Sequence, residues 1–493
     1  MTDNLADASS DSTLTGLTVD TDPRTPRGPD LAESQTRARH RRRGAEVDDA
    51  EHLPRGLSPW WRRILIVTLI LQMVVVATVA VVIATQFKLW APIDEDAHFS
   101  YIQQIAEHGS LPVLGRTEIS LQALAIRQGI YPRATTIDPK KFGLGGLSYE
   151  AWQPPLYYIV AAPVFDIPSS YVHKAYAVRV FDILLFFAAI ALTGRLCRLV
   201  LRDRWLIGWS MTLVFFALPG VVVRVVTISY LALALPLAIL FACELWTAWH
   251  RHSPRRLALA GVVLGLCVLT ELELLALIPV YLLVVFVEAL RRRQTRRFGP
   301  LLVALAVPFV IMAPWFAFNE ANYHMLTAGP ISQREVAAVV NPHGINTPIS
   351  QLPDQTVALL EPVLPAEWGS ALDSQEALTY VAQLLDLLII PAGLVLVLGL
   401  GRRLWSVPVA ILALPWVITI IELWYVVFVQ QSQAFSRYTY PTVPILLVLV
   451  ALSTENLQSR YLPIVVNGLA TGSLVALWGY LIFGYTGSWA LVH

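Results

Sequence analysis

From Ile64 to about Phe87 the chain is an almost uninterrupted run of valine, isoleucine, leucine and alanine. That is roughly the 20 residues a helix needs to cross a bilayer. Trp60-Trp61-Arg62-Arg63 precedes the run and Lys88-Leu89-Trp90 follows it, the interfacial tryptophan pattern expected at both ends of a span. Similar runs recur at about 179–201, 205–223, 226–249, 257–270, 272–290, 299–318, 376–399, 405–428, 438–453 and 462–485. Length and apolar continuity predict a helix over each, giving about eleven transmembrane helices and an all-α polytopic membrane protein. The two short runs around Thr270 predict a tight hairpin whose arms are short for full crossings.

Polar positions divide the rest. Residues 1–57 are rich in Ser, Thr, Asp, Pro and Arg and poor in apolar residues, so a disordered cytoplasmic tail is expected ahead of a membrane domain over 58–493. A cleaved signal peptide is not expected, because the first apolar run begins some sixty residues in and is too long. Two long segments, 88–178 and 319–375, are expected as outer loops with functional roles. Within the first, Phe99-Ser100-Tyr101-Ile102-Gln103-Gln104-Ile105 predicts a surface helix closed by Gly109, and Pro154-Pro155-Leu156-Tyr157-Tyr158 opens another.

Charge orients these elements. Arg41-Arg42-Arg43, Arg55, Arg62 and Arg63 precede the first span, which predicts a cytoplasmic N-terminus. Arg195/Arg198/Arg202/Arg204, Arg251/Arg255/Arg256, Arg291 to Arg297 and Arg402-Arg403 then all fall on inner loops of an eleven-span topology. The first loop, the tip of the Thr270 hairpin and the C-terminus come out on the outer face of the cytoplasmic membrane. Composition agrees, with 56% hydrophobic residues and 14% charged, against a usual charged fraction of about 25%. A net charge of +1 argues against nucleic acid as a partner. Cys197, Cys243 and Cys267 lie in apolar runs, far apart, and are expected to be buried and reduced. The 36 basic residues are thirty-two arginines and four lysines, a bias that suggests a high-GC genome such as an actinobacterium's.

The first span is followed directly by Asp94-Glu95-Asp96-Ala97-His98-Phe99. Carboxylates at a membrane boundary serve as a general base or as ligands of a divalent cation that neutralises a phosphate. Glu95, Asp96 and His98 are the candidate ligands for such a cation, magnesium or manganese. A solvated acidic turn capping the next helix uses the same residue types. Arg437, at the outer start of a late span, offers a planar fork for phosphate, with Tyr438 beside it. An interfacial arginine snorkelling to headgroups reads the same way. Arg224, near another outer end, is a weaker candidate. Glu271 and Glu273, at the hairpin tip among leucines, must face water or pair with a cation. His324 and His343 have no metal-ligand spacing.

The order Asp94-Glu95-x-x-His98-Phe99, Tyr101-Ile102 and Gly109-Ser110-Leu111-Pro112 resembles the first outer loop of the GT-C superfamily. These are membrane glycosyltransferases that use polyprenyl-phosphate-linked sugars. Gln153-Pro154-Pro155-Leu156-Tyr157-Tyr158 resembles the second surface helix of that loop, and Ala177-Val178-Arg179-Val180 resembles the entry to the next span. Ser436-Arg437-Tyr438 with Pro441 and Pro444 resembles the segment that opens a late helix. The resemblance covers most of residues 60–460. It implies Asp94 as the base activating an acceptor, Glu95 as its neighbour, and a site enclosed by the first loop and the outer helix ends. The candidates for binding substrate and phosphate are Arg437, Tyr438, His98, Gln153, Arg224 and Glu271.

Three positions depart from the family pattern. Leu269-Thr270-Glu271 stands where many relatives carry Leu-Thr-Lys, Ser229-Tyr230 where many carry Asn-Asp, and Phe318-Asn319 with Tyr323-His324-Met325 where Arg-Asn and Tyr-Gly-Asp are usual. The expected function is inverting transfer of a sugar from polyprenyl phosphate to a hydroxyl of a glycan, lipid or protein. Alternatives are a non-catalytic relative that binds polyprenyl lipid in envelope assembly, or a lipid or solute transporter. No internal repeat of the transporter kind is detectable, and the ionisable residues gather at the boundary, not at mid-membrane.

Overall fold

The computed structural model describes residues 58–90, 94–133, 137–141, 146–292, 298–331, 348–351, 401, 406–429, 436–454 and 462–484. The expected N-terminal tail, most of the second outer loop and the predicted span 376–399 lie outside these residues. The α-helices are α1 (Pro59–Gln86), α2 (Glu95–His108), α3 (Leu121–Arg127), α4 (Leu156–Phe165), α5 (Tyr171–Leu201), α6 (Trp205–Phe216) and α7 (Pro219–Val226). They continue with α8 (Leu231–Arg251), α9 (Pro254–Val268), α10 (Leu277–Arg292), α11 (Gly299–Tyr323), α12 (Val407–Trp424), α13 (Val443–Ser453) and α14 (Leu462–Gly484). The protein is all-α and polytopic. Among the described residues, six helical stretches are long and apolar enough to cross a membrane: Pro59–Gln86, Tyr171–Phe216, Leu231–Arg251, Leu272–Arg292, Gly299–Tyr323 and Val407–Val429.

The helices start and stop where local chemistry directs. Pro59 and Pro254 occupy first-turn positions, where the missing N–H costs nothing. Ser170 and Ser253 cap α5 and α9 by accepting from the N–H groups of His173 and Arg256. Gly109 closes α2 in the left-handed conformation at φ 63°, its N–H donating to the carbonyl of Ile105 at 2.9 Å. Where the expected spans differ from the structure, proline is a frequent cause. The run 205–223 is cut at Leu218, which Pro219 forces into extended backbone, so that α7 is a separate short helix. The run 438–453 begins as a 3₁₀ turn, Ser436–Thr439, and becomes α-helical only at Val443 after Pro441. The Thr270 hairpin is present, but its second arm opens with the 3₁₀ turn Leu272–Ala276.

Among the described residues, members of three arginine clusters meet at two buried glutamates. Glu244 of α8 accepts from Arg195 of α5 at 2.7 Å and from Arg256 of α9 at 2.8 Å. Glu288 of α10 accepts from Arg292 at 2.8 Å beside His252. Arg179 lies 16 residues before Arg195 on α5, about 24 Å along the helix, at the end where the acidic hexad sits. Between the ends, first and last described helices are joined by polar groups. Gln72 of α1 donates to Asn467 of α14 at 2.5 Å, and Asn467 donates to Thr68 at 2.6 Å. In an apolar slab such bonds fix which helices pair.

Candidate active site

Asp94 precedes the first residue of α2 and has φ 72°, a left-handed backbone uncommon for any residue but glycine. A helix-capping aspartate sits in extended backbone and bonds its own first turn. Asp94 does neither: its side chain makes no capping bond. Its Oδ2 lies 3.1 Å from Nη2 of Arg437, and its Oδ1 accepts from the Tyr149 hydroxyl at 3.1 Å. The two ion-paired side chains are 13% and 15% exposed, enough for a ligand to reach the pair. Burial, then the charges of Asp94 and Asp96, push the Tyr149 phenol well above its usual range, so it remains a donor.

Glu95 and Asp96 turn elsewhere. Glu95 is fully buried in a two-point pair with Arg179, Oε1 to Nε and Oε2 to Nη2, each 2.6 Å. It also accepts from the backbone N–H of Trp90 at 2.9 Å. Arg179 in turn donates to the carbonyls of Ala84, Phe87 and Lys88, which end α1. Asp96 accepts from Arg127 of α3 at 2.5 Å. His98 Nδ1 shares a 2.9 Å hydrogen bond with the Tyr158 hydroxyl, and its ring meets Tyr230 edge-on with centroids 5.4 Å apart. Burial drives its pKa down to about 3 against the pull of Asp94, so the imidazole is neutral. The three candidate cation ligands thus face three different partners. Among the described residues, no three His, Cys, Asp or Glu side chains are grouped closely enough to hold a metal ion.

The remaining expected residues are Tyr438, Arg224, Gln153 and Glu271. The guanidinium of Arg437 stands 5.4 Å from the Tyr438 ring, and Tyr438 packs against Ile420 and Leu423 at the end of α12. Arg224 on α7 acts on His98 by charge. Gln153 is buried beside Glu150, its Oε1 without a partner among the described residues. The loop carrying both is pinned to the hairpin, since the Leu156 N–H donates to the Leu269 carbonyl at 2.9 Å. Glu271 follows two residues later and is fully buried.

Tyr149, Glu150, Arg179 and Glu422 belong to the site or its support and were missed in the sequence. Glu422 had a readable signal, a single carboxylate inside an apolar run. Burial first, and then the charge of Asp94, raise the Glu150 pKa to about 8. A carboxyl that is more basic folded than unfolded binds a proton the unfolded chain has released, so stability falls as pH rises from about 4.5 towards 8. Glu150→Gln is therefore expected to flatten that decline and raise the thermal midpoint at pH 8. Melting curves across the interval, in detergent, check it.

Fold and site together define a polytopic helical membrane protein with a carboxylate–guanidinium pair at one end of its bundle. No protein-family model and no curated sequence matches the chain. Among solved structures it is similar to ArnT from Cupriavidus metallidurans bound to undecaprenyl phosphate, with a TM-score of 0.45 and 13% identity over 86% of this chain and 73% of that one. For ArnT in the apo state the values are 0.47 and 14%, over 84% and 64%. The Archaeoglobus fulgidus oligosaccharyltransferase in complex with Zn and sulfate gives 0.39 and 13%, over 85% of this chain and 52% of that one. The chain thus spans about half the length of the oligosaccharyltransferase.

Proposed function

We propose that the protein is a membrane glycosyltransferase of GT-C type that moves a sugar from a polyprenyl-phosphate donor to a hydroxyl acceptor on the outer face of the cytoplasmic membrane. The observation that carries this reading is Asp94: a left-handed backbone position, no capping role, and a carboxylate held between Arg437 and Tyr149. It is supported by the motif resemblance of residues 94–112, 153–158 and 436–444.

Asp94 takes the proton of the acceptor hydroxyl as that oxygen bonds to the anomeric carbon of the sugar. The bond from that carbon to the phosphate oxygen breaks on the opposite side, its electrons leaving with the polyprenyl phosphate, so the configuration inverts. Arg437 stabilises the charge on the departing phosphate. A guanidinium is able to hold a carboxylate on one edge and a phosphate on another, which suits it to align base and leaving group. Tyr149 fixes the rotation of the Asp94 carboxylate. His98, being neutral, contributes a hydrogen bond and no charge. The acceptor is a glycan, lipid or protein hydroxyl.

Sugar transfer by the purified full-length protein in proteoliposomes, supplied with polyprenyl-phosphate-linked sugars, tests the reading. Arg437→Ala is expected to raise the donor KM about 10- to 100-fold, the loss of one charge-assisted phosphate contact. Arg437→Lys, which keeps the charge but not the fork, should recover part of it. A donor KM unchanged in Arg437→Ala would remove the arginine from the phosphate site.

A further inference from the structure

Three glutamates take no part in the transfer scheme. Glu271 and Glu273 stand at the hairpin tip, and Glu422 lies two residues before the end of α12. The turn Leu272–Ala276, which begins directly after Glu271, packs on α12. Glu271 feels the charges of Glu273 and Glu422 as a result. It is 0% exposed, and neither of its carboxyl oxygens has a hydrogen-bond partner among the described residues. The Oε2 atoms of Glu273 and Glu422 are likewise buried without a partner there.

The titratable groups around Glu271 are Glu273 on its own turn, Glu422 of α12, Cys267 of α9, Tyr230 just before α8, and Arg437. Arg437 is the cation among them, and it is paired with Asp94. The acidic side chains are not grouped closely enough to share a metal ion. A buried carboxyl with carboxyl neighbours avoids both desolvation and repulsion by keeping its proton. Burial first, and then the charge of Glu273, accordingly raise the Glu271 pKa well above the usual carboxyl range. A protonated carboxyl has one O–H to donate, and here that donor has no acceptor among the described residues. Arg437 is near enough for its charge to act on Glu271, so a phosphate held by Arg437 supplies the missing acceptor.

We propose that Glu271 is a second proton-transfer residue, whose carboxyl O–H binds an oxygen of the donor phosphate and passes its proton to the leaving group. The proton transfer rests on the transferase reading; the phosphate contact is testable without turnover. As the bond between the anomeric carbon and the phosphate oxygen breaks, its electron pair stays on the phosphate and the Glu271 proton moves to a phosphate oxygen. The polyprenyl phosphate then departs as a monoanion instead of a dianion. Glu271 is left as a carboxylate, and Asp94 holds the proton of the acceptor hydroxyl. Return of that proton from Asp94 to Glu271 through water restores both, so that the net change is one proton moved from acceptor to phosphate. Glu273 and Glu422 keep Glu271 protonated, because neighbouring carboxylates disfavour its ionisation.

Calorimetry of the purified full-length protein in detergent with methyl farnesyl phosphate, a diester of constant single charge, tests the contact. Between about pH 6 and about pH 9 the wild-type affinity is expected to fall at least about tenfold, as Glu271 ionises against the phosphate and a hydrogen bond to a charged group is lost. Glu271→Gln keeps an N–H donor and has no proton to lose, so its affinity should be nearly constant. Glu422→Gln should keep the fall and move its midpoint to lower pH, and Glu150→Gln should keep the fall. In proteoliposomes Glu271→Gln should lower kcat for transfer about 100-fold. A wild-type affinity independent of pH overturns the proposal. So does a fall that survives in Glu271→Gln or vanishes in Glu150→Gln, and so does an unchanged kcat in Glu271→Gln. The expected binding in a wild type that transfers no sugar overturns the transferase reading, and the proton transfer with it, while the phosphate contact of Glu271 stands.

Discussion

Arg179→Leu is expected to leave little folded protein in the membrane fraction, and what remains should melt far below the wild type. Arg179 is the largest fully buried side chain among the described residues. It joins three pieces of chain: α5, which carries it, the C-terminal carbonyls of α1, and Glu95 in the first turn of α2. The last carbonyls of a helix have no partner within it, and a cation placed there also meets the negative end of the helix dipole. Removing the guanidinium strands the Glu95 carboxylate in the interior, at a cost of about 3–5 kcal/mol. Two backbone N–H groups, of Trp90 and Ile228, soften that cost without cancelling it. The double variant Arg179→Leu with Glu95→Leu should regain part of the loss, because no buried charge is then left alone, by a coupling of about 1–3 kcal/mol. Detergent melting of the single and double variants, with membrane abundance by blot, decides it. A double variant no more stable than Arg179→Leu alone would mean that the carbonyl contacts, and not the ion pair, hold this corner.

That corner sets the position of the next residue. Glu95 is locked on Arg179, so the backbone before it has little freedom, and Asp94 takes the left-handed turn that directs its carboxylate to Arg437 and Tyr149. Adjacent carboxylates therefore have different tasks, one holding the frame and one facing the site.

Features legible in the sequence were those encoded within a few residues. The α2 helix with its Gly109 stop, the start of α4 after Pro154-Pro155, the Thr270 hairpin and the polytopic all-α class are set by local periodicity, proline and glycine. Asp94 itself stood out because four ionisable groups follow an apolar run. Long-range pairing was not legible. Arg179 meets Glu95 across 84 residues and Tyr149 meets Asp94 across 55, and nothing in the spacing of either segment specifies the partner. Glu95, Asp96 and His98 looked like a common ligand set by proximity in sequence, yet the geometry of α2 sends them to Arg179, Arg127 and Tyr158. Residues one and two apart on a helix project in different directions, which separates Asp96 from Glu95 and from His98. The break at Pro219 was written in the sequence but masked by apolar residues on both sides.

Asp94→Asn is expected to fold, insert and bind donor while losing transfer by about 10²–10⁴-fold, the usual contribution of a positioned general base. Asparagine matches aspartate in size, tolerates the left-handed backbone and keeps an oxygen for the Tyr149 hydroxyl, so the frame is preserved. It has no capacity to accept the acceptor's proton at neutral pH. Loss of the charge opposite Arg437 should leave donor binding as tight or tighter, which separates this variant from Arg437→Ala. The decisive measurement is transfer of radiolabelled sugar from a polyprenyl-phosphate donor in proteoliposomes, comparing wild type and Asp94→Asn at matched amounts of folded protein. Transfer by the wild type with a kcat lowered at least about 100-fold in the variant, at unchanged or lower donor KM, is the expected result. Transfer by Asp94→Asn at the wild-type rate would contradict the role of Asp94 as the base.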